Sequence, residues 1–369
     1  MAAKKTGISR NLVIHPGETI ADVLEQRNIT QLELATRTGM SAAYVNSVIS
    51  GKKDISAKFA MHLEYALSIP KSFWLNLQAN YDAEMLEIGE KETITNTERD
   101  ILSHLKDIIK LLKIRGAIKP RASIEETILE LRKELQISNI ANLKELVPSG
   151  AFRMASTSTV NEYVLGAWLR LCQVGSEDHN IDAEFNINNI DSLVFDLKQI
   201  MLNHDCNLPS ELSKTMKKYG IDFSLVRNFK GAPVHGYICR RKDDSYQMVV
   251  TIRGAYADIF WFTLFHELGH IVNGDISKTT KFIDLIENNN INSERELNAD
   301  CFARNTLLEP EDYSKFVQEK DFSITAIKKF ARNQNVMPYV VIGRLQKEEH
   351  IPYTWHSNYK LRYKWKQEL

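Results

Sequence analysis

Residues 259–270, IFWFTLFHELGH, carry His266-Glu267-Leu268-Gly269-His270 inside an apolar run. Positions i and i+4 of a helix lie about 40° apart on one face. The two imidazoles therefore stand side by side and can hold one metal through neutral ring nitrogens. Glu267 sits one residue round, where its carboxylate can take a proton from a water on that metal. Ile259, Phe260, Phe262, Leu264, Phe265, Leu268, Ile271 and Val272 make the helix apolar nearly all round, which predicts burial. Polar side chains on a buried helix need partners, and a metal supplies one. Two ordinary core histidines are the competing account.

Two imidazoles leave a site incomplete, because catalytic zinc takes three protein ligands and keeps a fourth position for water or substrate. The third ligand is expected on a second helix. Residues 293–303, SERELNADCFA, offer Glu296 and, four residues on, Asp300 on the same face. Glu296 is expected as the third zinc ligand. Asp300 is expected as the acceptor that fixes the tautomer of one zinc histidine.

The totals bound the rest. A chain of 369 residues suits two or three domains, and 43% apolar with 25% charged residues is a globular composition. Lys+Arg equals Asp+Glu at 47 each, so any nucleic-acid surface must be local. Cys172, Cys206, Cys239 and Cys301 are scattered without a C-x-x-C, which indicates neither a disulfide framework nor a cysteine zinc cluster. Reduced thiols in a cytoplasmic protein are expected, with Cys301 packed in its helix. The start, MAAKKTGISRN, lacks the apolar core of a signal peptide, and no run reaches the length of a membrane span.

Short helices with clean stops follow from Pro16. The first runs to about Gln26 on Ile20, Val23 and Leu24. Thr30 caps the second, with Glu33 completing a capping box, and that helix buries Leu32, Leu34 and Ala35 before Gly39. Ser41 caps the third, which ends near Gly51. Two short helices joined by a turn containing Gly are a helix-turn-helix. A fourth helix (56–67) and a fifth opened by Pro70 close the bundle. In that geometry the third helix enters the major groove. The expected DNA contacts are Ser41, Ala43, Tyr44, Asn46 and Ser47, with Gln31 near a phosphate and Lys52 and Lys53 on the backbone. Residues 1–80 hold nine Lys/Arg against six Asp/Glu, a weakly basic balance, so a homodimer is expected. A helical bundle that docks protein and touches no DNA is the alternative.

HPGE, the TQLELA helix, VNSVISGKKDIS and the closing WLNLQANYD resemble the HigA-type antitoxin branch of the Cro/repressor-like, XRE-family helix-turn-helix proteins. The resemblance covers about 70 residues. It implies binding to an operator in double-stranded DNA and a genetically linked partner.

Beyond a charged stretch at 84–98, the spacing of Ile101, Leu102, Leu105, Ile108, Ile109 and Leu112 predicts one amphipathic helix over 97–115. A second runs from Ser123 to about Leu135 with Glu126 completing a capping box. Further helices are read at 163–171, 193–202 and 211–219. Strands follow at 223–227, 234–241 and 246–252, the last two joined by Lys242-Asp243-Asp244-Ser245. Residues 248–252 are read either as an edge that takes substrate as an added strand or as plain core. The aromatic and basic tail, 350–369, is read chiefly as rings packed on the domain with solvated lysines, against a nucleic-acid surface.

FTLFHELGH with ELNADCFARNTLLEP, supported by the W-L-R segment at Trp168, resembles the ImmA/IrrE family of zinc metallopeptidases over roughly residues 160–350. The resemblance implies His266, His270 and Glu296 as zinc ligands and Glu267 as catalytic acid/base. It also implies cleavage of a repressor or of a neighbouring gene's product. The tyrosine that some members place between the second His and the Glu has no counterpart here; His350, His356, Tyr313 and Tyr339 are the candidates for that oxyanion role.

The sequence thus predicts a mainly α protein with a small β-sheet (α+β). A helix-turn-helix bundle (1–85) leads through a helical connector (86–155) to a zincin-like zinc endopeptidase domain (156–369). The protein is expected to be cytoplasmic and free of membranes. A non-catalytic antitoxin or repressor, whose second domain only binds a partner or senses a signal, is the alternative.

Overall fold

The computed structural model describes residues 13–147, 160–177, 179–203, 205–277, 281–285 and 294–365. The MAAKKTGISRN start, Gly150 and Ser293 lie outside the described residues. The chain divides into two compact units, Met1–Thr95 and Asn96–Leu369. Residues 96–147, assigned to a connector on sequence grounds, cluster with the second unit.

The first unit contains α1 (Pro16–Gln26), α2 (Gln31–Thr38), α3 (Ala42–Ile49), α4 (Ala57–Leu67) and α5 (Lys71–Thr93). Thr30, Ser41 and Ser56 each accept a backbone N–H three residues on, so α2, α3 and α4 start at a hydroxyl cap, while His15 Nδ1 caps α1 by accepting from the Gly17 N–H. Glu33 does not complete the expected box; its carboxylate turns to Arg37. Gly39 closes α2 at φ +69, a conformation that suits glycine. Ile20, Leu24, Leu34, Val45, Val48, Phe59, Leu63, Leu67 and Trp74 form the core. Leu32, expected inside, is 69% exposed, because it lies about 160° round α2 from Leu34. A Cβ at Gly17 would stand 2.1 Å from the Val48 carbonyl oxygen, so α1 crosses α3 in backbone contact.

The second unit opens with α6 (Asn96–Ile101) and α7 (Lys106–Ile114). The single helix expected over 97–115 is two, broken around Ser103 and His104, with Leu105 buried in the turn. Apolar spacing continued through the break, which is why the pattern alone did not reveal it. Helix α8 (Ile124–Glu134) starts at the expected Ser123/Glu126 capping box. The buried Arg132–Glu98 pair ties α8 to α6, with Glu98 fully buried. After a 3-10 turn (Ile140–Leu146) comes α9 (Glu162–Glu177), which packs on that turn so closely that a Cβ at Gly166 would meet the Leu143 carbonyl oxygen at 2.0 Å.

Helices α10 (Ile190–Leu202) and α11 (Leu208–Lys217) precede the sheet: β1 (Ile221–Leu225), β2 (Val234–Arg240), β3 (Tyr246–Val250) and β4 (Lys281–Leu285), in the order β1-β3-β2-β4. Strand β3 is parallel to β1, and β2 is antiparallel to both β3 and β4. Residues 248–252 therefore offer no edge: β3 is flanked by β1 and β2. The edges among the described residues are β1 and β4, and β4 was missed by the sequence reading.

Between β3 and β4 runs α12 (Ala257–Val272), with α13 (Glu294–Leu307) behind it and α14 (Pro310–Glu319), α15 (Ile324–Asn333) and α16 (Pro338–Lys347) completing the layer. Phe260, Trp261, Leu264, Phe265 and Leu268 of α12 sit in the main core with Ile238, Met248, Val341 and Leu345. The tail packs as a strap rather than standing free. Leu361 accepts a hydrogen bond from the Ala257 backbone N–H, and Tyr363 donates its own to Ala255. Lys360 is not solvated, since its Nζ lies 2.7 Å from Asp258 Oδ2 with both side chains 9% exposed. No helix among the described residues is long and apolar enough to cross a membrane.

Candidate metal centre and nucleic-acid interface

Helix α12 is buried along its length and presents His266, Glu267 and His270 into the interior, at 7%, 1% and 2% exposure. What lets α13 reach them is a contact between two small residues. A Cβ at Gly269 would stand 3.0 Å from the Ala299 Cα. At that crossing Glu296, three residues before Ala299, comes level with both imidazoles. Its Oε2 lies 3.2 Å from His266 Nε2 and 3.6 Å from His270 Nε2, and the two Nε2 atoms are 3.2 Å apart.

The opposite nitrogens explain the chemistry. His266 Nδ1 is 2.8 Å from Asp300 Oδ1, and His270 Nδ1 is 2.9 Å from Asp275 Oδ2. A carboxylate only accepts, so each Nδ1 carries the proton, and in the neutral ring each Nε2 points a lone pair inward. Two imidazole lone pairs and a carboxylate oxygen then converge on one point, an arrangement that a cation resolves. Three ligands set tetrahedrally at about 2.0–2.1 Å from zinc are about 3.3 Å apart, close to the separations here. The donor set of two imidazoles and one carboxylate is that of a catalytic zinc site. These residues fit the metal.

The electrostatics agree. Burial works to raise the Glu296 carboxyl, but its contacts with His266 and His270 outweigh it and hold it at about 2. Burial works to lower His270, and its contacts with Glu296, Glu267 and Asp275 raise it above the usual histidine value. The cluster draws positive charge to its centre.

Glu267 is no member of this triangle. Its carboxylate lies where a side chain on β2 would otherwise be: a Cβ at Gly236 would fall 2.0 Å from Glu267 Oε1. Gly236 therefore shapes the position of the carboxylate, and the β2–β4 ladder is irregular between Val234 and Gly236 at the same place. Sequence reasoning missed both Asp275 and Gly236. Asp275 had a local signal, since it follows Gly274 just past the end of α12 and its backbone N–H returns to the His270 carbonyl. Gly236 had none without the sheet register.

The four candidates for the oxyanion role are engaged in other packing. Tyr313 donates to Glu348 under the Arg344 guanidinium, and His350 also faces Glu348. His356 Nε2 contacts the Phe322 carbonyl. Tyr339 is buried beside Tyr363 and Trp261, its phenol pushed well up by burial. Cys301, expected to pack in its helix, is exposed.

In the first unit, Ala43 and Asn46 of α3 are exposed, as are Gln31, Lys52 and Lys53. Ser41 is exposed but its hydroxyl caps α3, and the Ser47 hydroxyl donates back to the Ala43 carbonyl. Tyr44 is half-buried. It packs edge-on against Phe59 with its hydroxyl at Ser56, and Lys53 lies over its ring. Of the expected contacts, Ala43, Asn46, Lys52 and Lys53 have exposed side chains with no hydrogen bond committing them elsewhere in the helix.

A helix-turn-helix family model matches residues 20–71, so the first unit is a helix-turn-helix domain. The virulence-associated protein A' of Dichelobacter nodosus is 37% identical over 78 residues, 21% of this chain. The match spans 66% of the length of that relative. Among solved structures, an antidote protein of a plasmid maintenance system from Nostoc punctiforme is 37% identical, covering 21% of this chain and 87% of that one, at TM-score 0.21. An addiction-module antidote protein of a HigA family from Coxiella burnetii is 31% identical over 22% and 96%, also at 0.21. The Pseudomonas aeruginosa antitoxin HigA, solved with the higBA promoter, is 29% identical over 23% and 97%, again at 0.21.

Proposed function

We propose that this protein is a DNA-binding regulator whose second unit hydrolyses a peptide bond at a zinc centre. The helix-turn-helix match supports the first half. The second half rests on one observation: the Nε2 atoms of His266 and His270 meet Glu296 in a three-residue cluster, while a second buried carboxylate, Glu267, lies next to His266 on the same helix against Gly236. A structural site has no need of that extra carboxylate.

Zinc bound there supplies a Lewis acid that acidifies water and polarises a carbonyl. Asp300 and Asp275 hold the imidazoles in the Nδ1–H tautomer and fix their planes. Glu267, buried against Gly236, takes the proton of the attacking water on a carboxylate oxygen and passes it to the leaving amine nitrogen. Strand β4 pairs on one side only among the described residues, so an extended substrate adds along its outer edge. The substrate is a protein, a repressor or the product of a neighbouring gene, and zinc and operator DNA are the ligands.

The competing reading is an antitoxin or repressor in which the second unit only docks a partner or senses a signal. It is favoured by the helix-turn-helix match falling wholly within the first unit. Glu267→Gln separates the two. The substitution is expected to leave about one zinc per chain and DNA binding intact while lowering proteolysis at least about 100-fold. A regulatory effect undiminished in Glu267→Gln would sink the peptidase reading and leave the docking one.

A further inference from the structure

Helix α7 has two faces. Ile108, Leu111 and Leu112 are buried, while Lys106, Lys110 and Lys113 fall within about 60° of arc on the opposite side. Lys113 Nζ donates to the Pro120 carbonyl at 3.2 Å, which folds the following turn back beside this stripe. That turn carries exposed Lys119 and Arg121, and Arg115 stands at the end of α7 between them. Residues 106–121 thus hold six cations and one acid, Asp107. The next acids are committed elsewhere, Glu125 to Arg99 and Glu130 to Lys133. Among the described residues no carboxylate pairs with Lys106, Lys110, Lys119 or Arg121.

We propose that this stripe is a second DNA-contacting surface, one that grips the phosphate backbone of duplex DNA independently of sequence. The inference rests on the reading that this protein binds DNA. Two observations choose the occupant. The helix-turn-helix unit, Met1–Thr95, has ten Lys/Arg against eleven Asp/Glu, so it supplies no net attraction to a polyanion. Sequence-independent affinity comes from phosphate neutralisation, and the stripe is where such charge is concentrated. Residues 106–121 also contain no aromatic side chain on which an unpaired base could stack. That favours a duplex backbone over a single strand.

The test uses the full chain and a fluorescent duplex of arbitrary sequence, titrated between about 50 and 200 mM salt. The variant combines Lys106→Gln, Lys110→Gln, Lys119→Gln and Arg121→Gln, and sits on solvent-facing positions, so its unfolding temperature serves as the control for folding. Wild type is expected to show a steep loss of log K with log salt. The variant is expected to bind at least about tenfold more weakly with a slope shallower by about two to four, since each phosphate contact contributes about 0.9. Equal slopes and affinities overturn the proposal, as does a wild type that binds anionic vesicles but no duplex. Selection of a preferred site from a random duplex pool reads the helix-turn-helix separately. Failure there, with the slope change intact, sinks operator recognition and leaves the stripe standing.

Discussion

The two functional surfaces are built on opposite plans. In the helix-turn-helix unit, α2, α3 and α4 are each started by a hydroxyl within their own few residues, Thr30, Ser41 and Ser56. The candidate metal centre has no such locality. His266 and His270 come from α12, Glu296 and Asp300 from α13, Asp275 from the turn between them, and Gly236 from a strand thirty residues upstream of the histidines. Local rules govern the first surface and interlocking backbone contacts govern the second, so damage should spread differently in each.

The sharpest break comes from Glu296→Ala. It is expected to take the zinc content from about one per chain to none, read by elemental mass spectrometry, while DNA binding by the first unit persists. Zinc retained at wild-type level would remove Glu296 from the ligand set. Next, Gly236→Ala forces a Cβ into the space of the Glu267 carboxylate. Overpacking of this kind costs about 1–3 kcal/mol, and proteolysis should fall with it while operator affinity holds. Normal activity and an unchanged melting curve in this variant would show that Glu267 sits elsewhere. Asp275→Asn removes the acceptor from His270 Nδ1. Metal affinity should weaken about 10–100-fold in a chelator competition; an unaltered affinity would demote Asp275 to a packing residue. The smallest effect belongs to the local plan. Ser56→Ala loses one cap, costing about 0.5–2 kcal/mol, and denaturant unfolding should register it in the first unit only.

The same contrast governs how much the sequence disclosed. The hydroxyl caps, the Gly39 stop and the His266/His270 spacing are encoded within a few residues, and the helices they imply are present. Glu296 was reachable because helical spacing also links it to Asp300. Helical position alone did not reveal that the Tyr44 ring leans on Phe59. The break between α6 and α7 was hidden because buried Leu105 continues the apolar rhythm through a turn. Strand β4 and the role of Gly236 depend on pairings between distant segments, which no local pattern carries. Small residues at 269 and 299 were visible, but only the crossing of α12 and α13 gives them meaning.

The strap that seals the first turn of α12 also sets an order of events during synthesis. The histidine helix depends on Lys360, Leu361 and Tyr363, which hold Asp258, Ala257 and Ala255. On the ribosome these emerge about 265 residues after Thr95, an interval of about 13–50 seconds at ordinary elongation rates. The helix-turn-helix unit, about a quarter of the chain, is thus synthesised in full well before the histidine helix acquires its seal. The two candidate surfaces are completed one after the other and not together.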